Sequence, residues 1–176
     1  MADGTPVWFR HVRPVDEPLL AAAINSASRE TLLHRFFSPI RRVAPDQLRR
    51  MLVLDATRET CIVGVLETNP GTRIICGARY VKLSKPHTAE IALTVHDDFQ
   101  RRGLGTVLLR LLARLALVEQ LQWFEAEVLS TNHKMLNLFR KLSLGQARGQ
   151  WTGDVYHVEI PVRSLAAESD RSRLAG

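Results

Sequence analysis

Residues 90–106 join three patterns that few folds can satisfy in this order. Glu90, Ile91, Ala92, Leu93, Thr94 and Val95 alternate, Ile91, Leu93 and Val95 on one side and Glu90, Ala92 and Thr94 on the other, which is the period of a strand. Downstream, Leu108, Leu109, Leu111, Leu112, Leu115 and Ala116 recur at helical spacing, while Arg110 and Arg114 stand four apart on another face. Between the two lies Gln100-Arg101-Arg102-Gly103-Leu104-Gly105-Thr106. Two glycines let a backbone approach an anion without a Cβ in the way, and a helix N-terminus offers unpaired N–H donors and a partial positive charge. A pyrophosphate fits such a loop, although glycines two apart also serve in plain strand-to-helix turns. The pattern has neither the third glycine and acidic residue of a dinucleotide fingerprint nor the Gly-Lys-Ser/Thr of a Walker loop.

The rest of the chain alternates short elements in an α/β order. Residues 7–12 read as a first strand stopped at Arg13-Pro14, and residues 16–27 as a helix with Asp16 as its N-cap and Pro18 in the first turn. Residues 28–37 form a second short helix closed by Ser38-Pro39, and Ala44-Pro45-Asp46 opens a third that runs to about residue 54. Strands over 60–67 and 73–83 are joined by Thr68-Asn69-Pro70-Gly71-Thr72, a strong hairpin signal. Ser84-Lys85-Pro86-His87 turns into a strand over 88–95. After the long helix come a strand over 123–129, a helix over 132–144, a loop over 145–153 and a last strand over 154–162.

At 176 residues, 45% of them hydrophobic and 24% charged, the chain suits one well-packed domain. That domain is expected over residues 6–162, between a flexible N-terminus at 1–5 and a Ser-, Glu-, Asp- and Arg-containing tail at 163–176 that reads as disordered. No apolar stretch approaches the ~20 residues of a membrane span, and the N-terminus has neither a basic start nor an apolar signal core, so the expectation is a cytoplasmic protein without membrane contact. Cys61 and Cys76 fall on neighbouring strands, without a CxxC motif or histidine partners; thiols are expected there, and no metal site. The net charge of +6 comes mainly from arginine. With no long basic run, and with two Tyr and three Trp none of which interleaves a basic cluster, nucleic acid is not an expected partner. His34, His96 and His133 have no metal-ligand spacing and no triad order with Ser or Cys.

Taken together, these words resemble the GCN5-related N-acetyltransferases, whose acyl-CoA loop reads Gln/Arg-x-x-Gly-x-Gly/Ala between a strand and a helix. Gln100, Gly103 and Gly105 match it. The likeness extends to Leu32-Leu33-His34-Arg35-Phe36-Phe37-Ser38-Pro39, Gly77-Ala78-Arg79-Tyr80-Val81, Ala89-Glu90, and Glu127-Val128-Leu129-Ser130-Thr131-Asn132, and it is greatest with the catalytic domain of bacterial protein-lysine acetyltransferases that modify acyl-CoA synthetases. The resemblance implies an α/β (α+β) fold, a mixed and mostly antiparallel sheet of six or seven strands with helices on both faces. It implies acetyl-CoA as cosubstrate, with no metal, and an acyl-CoA synthetase-like protein as acceptor. A small amine as acceptor and a CoA-sensing module without catalysis are the alternatives.

The resemblance also assigns roles. The loop residues Gln100, Arg101, Arg102, Gly103, Leu104, Gly105 and Thr106 would hold the pyrophosphate, and the backbone of Leu93, Thr94 and Val95 the pantetheine amides, where strands 90–95 and 123–129 splay apart. Asn132 would touch the pantetheine, cap the last helix, or do both. A lysine amine, with an unperturbed pKa near ~10.4, arrives protonated and needs a base. Ala89-Glu90 matches the family pair in which the glutamate takes that proton, and a partly desolvated Glu90 at the sheet centre would suit that role. The other reading makes Glu90 an exposed strand residue or the partner of Arg79; Glu125 and Glu127 on the adjoining strand are then the reserves. Many members place a Tyr seven residues after the Asn to protonate the leaving thiolate. Here the position is Phe139, which has no proton to give, and a CoA thiolate, from a thiol titrating near ~8.5, leaves without one. Phe36 and Phe37 are placed to line the acceptor side.

Overall fold

In the computed structural model the described residues are 1, 4–39, 43–69 and 71–166. They form one seven-stranded sheet in the order β1-β2-β3-β4-β5-β7-β6. The strands are β1 (Trp8–His11), β2 (Glu59–Thr68), β3 (Gly71–Lys82), β4 (Thr88–Val95), β5 (Trp123–Leu129), β6 (Arg148–Thr152) and β7 (Val155–Pro161). The helices are α1 (Glu17–Ser26), α2 (Arg29–Phe36), α3 (Pro45–Leu52), α4 (Leu104–Val118), α5 (His133–Leu142) and α6 (Val162–Ala166). Every strand pair is antiparallel except β4 with β5. β4 is the middle strand of the seven.

Two cores sandwich the sheet. On one face α4 buries Leu104, Leu108, Leu109, Leu112, Ala113 and Ala116, most of them fully, against Tyr80, Ile91, Leu93 and Phe124. Each buried leucine contributes about 2 kcal/mol of transfer free energy. On the other face α1, α2 and α3 cover Val63, Val65 and Ile74 with Ile24, Leu32, Leu48 and Leu52. The two-residue period of β4 therefore has a spatial meaning. Ile91 and Leu93 point at α4, while Glu90, Ala92 and Thr94 point the other way, with Arg79 opposite Ala92 in β3.

Local chemistry sets the ends. Ser28 caps α2 by accepting from Thr31 N–H at 3.1 Å, and Phe37, with φ 56°, closes that helix in the left-handed region. α4 stops where Gln120 adopts φ 58° and Leu121 N–H reaches back to Ala116 O at 2.9 Å, a Schellman-type end made without glycine.

Three expectations are corrected. Asp16 occupies the N-cap position of α1, but its side chain makes no capping hydrogen bond there; it ends a short 3-10 turn, Pro14–Asp16, and its buried carboxylate accepts from both Arg10 guanidinium nitrogens (2.6 and 2.7 Å) and from Arg13 N–H (2.8 Å). Residues 148–152, read as loop, form edge strand β6. Polar composition hid it, and Gly149 permits it, since a Cβ there would sit 2.3 Å from His157 O on β7. Residues 163–166, assigned to the tail, belong to α6, where Val162 and Leu165 are buried. The remainder of the expected tail, 167–176, lies outside the described residues, as do residues 2 and 3 of the N-terminus.

Candidate active site

β4 and β5 pair only at Thr88 with Trp123, Ala89 with Phe124 and Glu90 with Glu125. Beyond Glu90 the strands separate, while β4 stays paired to β3 as far as Val95 and β5 to β7 as far as Leu129. The facing edges of residues 91–95 and 126–129 thus present backbone donors and acceptors that no ladder partner uses. Val95 O is met by a side chain instead, Gln100 Nε2 at 3.2 Å. The gap is a cleft of about 590 Å³, bounded by both strands, α2, the loop before α4, and α5.

The loop has the conformation of an anion cradle. Arg101 and Gly103 both have positive φ, 61° and 83°, an alternation that turns successive N–H groups toward one point. The first hydrogen bond of α4 runs from Val107 N–H to Gly103 O at 3.2 Å, so the N–H groups ahead of it have no helical acceptor. Gly103 is needed for its φ and not for crowding, because a Cβ there would meet nothing within 4 Å. Gly105 serves packing instead. Its Cβ would come 3.2 Å from Leu138 Cδ2, so the missing side chain lets α5 approach α4. These groups fit a pyrophosphate followed by an extended arm carrying amides.

Glu90, Leu93, Thr94, Val95, Gln100, Arg101, Gly103, Leu104, Gly105, Thr106, Asn132 and Phe139 all line the cleft. Arg102 does not; its guanidinium lies over the Phe99 ring, 5.5 Å from the centroid. Gln100 spends its amide on structure, donating to Val95 O and Thr31 Oγ1 and accepting from Lys134 Nζ. Asn132 caps α5 through Met135 N–H at 3.2 Å. Phe139 is buried in the cleft wall, and Phe36 and Phe37 line its far end.

The side chain of Glu90 is exposed, as in the second reading, rather than partly desolvated as the base reading expected, and it is not the partner of Arg79, which pairs with Glu59 across β2 and β3. Of the reserves, Glu125 is held by Lys85 Nζ at 2.7 Å, and Glu127 lies 3.3 Å from His157 Nδ1. Glu90 and Glu127 line both the cleft and a second hollow of about 320 Å³, which Glu125, Glu159, His157 and Gln150 complete. The hollow carries four carboxylates, and Lys85, bonded to Glu125 and Glu159, sits at its edge; the two carboxylates hold that ammonium above lysine's usual pKa.

Of the α2 wall the sequence reading gave a role only to Phe36, with Phe37 just beyond the helix. Glu30, Thr31, His34 and Arg35 line the cleft, and His34 Nε2 meets Thr131 Oγ1 at 3.1 Å across it. Asp97 fixes that wall, accepting from Ser28 N–H, Ser28 Oγ and Thr31 Oγ1 at 2.7, 2.7 and 2.8 Å. Such partners lie up to 97 positions apart, and only the sheet brings them together.

The comparisons with known proteins agree with this geometry. The model of the Acetyltransferase (GNAT) family matches residues 21–144. The chain belongs to that family. It is 30% identical over 161 residues to Acetyltransferase Pat of Mycolicibacterium smegmatis, covering 89% of this chain and 47% of that one. It is 29% identical over 114 residues to Acetyltransferase PA5475 of Pseudomonas aeruginosa, covering 65% and 61%. The chain therefore spans roughly half to three fifths of the lengths of these relatives. Among solved structures, the GNAT domain of S. lividans PAT superposes with a TM-score of 0.79 at 25% identity, over 91% of this chain and 93% of that one. The seven-stranded sheet with one parallel, splayed pair is this GNAT fold.

Proposed function

We propose that the chain is an acetyl-CoA-dependent N-acetyltransferase whose acceptor is a lysine amine on a protein, in a ternary complex with direct transfer. The observation that carries this reading is the junction at Glu90. One carboxylate stands where the splayed cleft, shaped for an acyl-pantetheine arm, opens into a hollow walled by Glu125, Glu127 and Glu159.

Bound there, acetyl-CoA supplies an acyl thioester already activated toward an amine. The chain's own groups do the rest. N–H groups around Gly103 and Leu104 hold the pyrophosphate, and the free edge of β4 aligns the amides, with one N–H available to the developing oxyanion. The carboxylates draw an ammonium toward the cleft, and Glu90 takes its proton directly or through a water, which restores the lone pair. Phe139 keeps the thiolate side dry and donates nothing.

Two features favour a protein over a small amine. The hollow is open, with Gln150 and Glu159 exposed on β6 and β7, whereas small ligands prefer enclosed pockets. The likeness to Acetyltransferase Pat and to the PAT domain points the same way. The deciding measurement is mass spectrometry of cell lysate incubated with isotopically labelled acetyl-CoA, with and without the enzyme. Enzyme-dependent label on protein lysines is expected; label only on small amines would replace the acceptor, and no transferred label would remove the catalytic reading.

A further inference from the structure

Arg35, next to last in α2, occupies an unusual position. Among the described residues its guanidinium has no hydrogen-bond or ion-pair partner, and it lies against the Phe36 ring, 5.2 Å from the centroid. It stands at the boundary between the cleft and a second cavity of about 100 Å³ beneath α1 and α2, and it lines both, as do Thr31, Phe36, Ala92 and Thr94. That second cavity is walled almost wholly by apolar groups, among them Leu20, Ile24, Met51 and Val63. Two polar atoms on its wall, Thr94 Oγ1 and Arg79 Nε, are fully buried with no hydrogen-bond partner. The titratable groups around Arg35 are Cys61, Arg79 and Glu90. Cys61 is no counterion, since burial pushes its thiol up to about 11. Glu59 is committed to Arg79.

A half-buried guanidinium stays charged and, with Glu90 acting on it only through space and not as an ion-pair partner, offers its donors to a further anion. Buried polar atoms without partners mark the place where a ligand or water completes the set. We infer that Arg35, with Thr94 and the cavity behind them, forms a subsite for a carboxylate carried on a short apolar chain, beside the thioester end of the cleft. A cavity of about 150 Å³ admits a benzene, so one of about 100 Å³ holds roughly three or four heavy atoms. That is the span of a methylene segment ending in a carboxylate. The carboxylate has two possible carriers, the acyl group, as in a succinyl thioester, or the acceptor, as in an amino acid. In either case the transfer is the same: the C–N bond forms, the C–S bond breaks, the amine proton passes to the base, and CoA leaves as thiolate. The carboxylate is held and not consumed.

The inference rests on the acyltransferase reading, and the test separates the two. Calorimetry on the full chain compares acetyl-, propionyl- and succinyl-CoA, and transfer to a lysine peptide is followed with each. In a second arm, acetyl-CoA is paired with free lysine or with 1,5-diaminopentane, which lacks the carboxylate. Wild type should favour the carboxylate-bearing partner in one arm by about tenfold, the scale of one half-buried charge pair. Arg35→Met should remove that preference, and Arg35→Lys should keep part of it. The arm in which this happens identifies the carrier. Acetyl transfer with no preference for succinyl over propionyl and none for lysine over the diamine overturns the subsite and leaves the acyltransferase reading standing. A preference that survives in Arg35→Met also overturns it. Absence of transfer and of binding with every acyl-CoA overturns both. The wild-type comparisons decide even where a variant folds poorly.

Discussion

At the scale of single residues, Glu90 and Gly103 carry the sharpest expectations because each is constrained by ligand chemistry more than by packing. Glu90 is exposed and its neighbour Arg79 is bonded elsewhere, so Glu90→Gln should leave the melting temperature unchanged. It should also keep acetyl-CoA affinity within a few-fold and lower kcat by ~100-fold or more, since an amide cannot accept the ammonium proton. Near-normal turnover in a stable variant would transfer the base to Glu127, which lines the same junction. At Gly103 a Cβ meets no protein atom within 4 Å, but φ is +83°. Gly103→Val should therefore cost the fold only about 2 kcal/mol of backbone strain while filling the space an anion would use. Calorimetry should show severe loss of acetyl-CoA binding in a protein that remains folded; unchanged affinity would show that the loop is a turn and nothing more.

Among the elements, β4, β5, α4 and the loop before α4 were legible in the sequence because each has a strong local signal: two-residue alternation, helical leucine spacing, two glycines at set places. β6 was not, because Arg148, Gly149, Gln150, Trp151 and Thr152 are all exposed on a sheet edge and carry no hydrophobic alternation. Its existence depends on Gly149, where an added Cβ would meet His157 O at 2.3 Å and the Tyr156 ring at 2.7 Å. Gly149→Ala should destabilise by about 2 kcal/mol, lowering the melting temperature by about 4–8 °C in a chain of this length, and should weaken acceptor use more than acetyl-CoA binding, because β6 walls the hollow and not the loop. The α2 wall, apart from Phe36, was illegible for another reason. Its partners Asp97, Gln100 and Thr131 are distant in sequence, so no window of residues contains the relation. On α5 the sequence pointed to Phe139 as a cleft residue, and its ring does line the cleft. Phe139→Tyr should leave turnover within a few-fold of wild type or raise it, as steady-state kinetics would show; a hundredfold loss with binding intact would mean the buried ring does more than pack.

The molecule as a whole is held together around its site by two carboxylates whose loss of charge should undo it. Asp16, buried, is held below the usual carboxylate range first by its hydrogen bonds from Arg10 and then by Arg13 N–H, against the opposing effect of burial. For Asp97 burial is the largest influence and pushes upward, but the combined hydrogen bonds from Ser28 and Thr31 outweigh it and the carboxyl also lies low. The sign follows from linkage. With folded values below unfolded ones near ~3.9, the unfolded chain takes up protons first as pH falls. The stability these groups contribute is complete above that unfolded value and is lost as pH drops through the folded values beneath it. Asp16 ties β1 to the entry of α1, while Asp97 ties the start of α2 to the end of β4, so acid should loosen the α1–α2 layer and with it one wall of the cleft. Denaturant titrations from pH 7 down to pH 2.5 should show stability nearly level to about pH 4.5 and falling steeply below. Asp16→Ala should cost about 3 kcal/mol at pH 7, as expected for breaking a buried pair, and both Asp16→Ala and Asp97→Asn should flatten the acid slope. A slope unchanged in the double variant would place the acid sensitivity elsewhere, and would show that the α2 wall is fastened by packing of Leu32 and Phe36 rather than by charge.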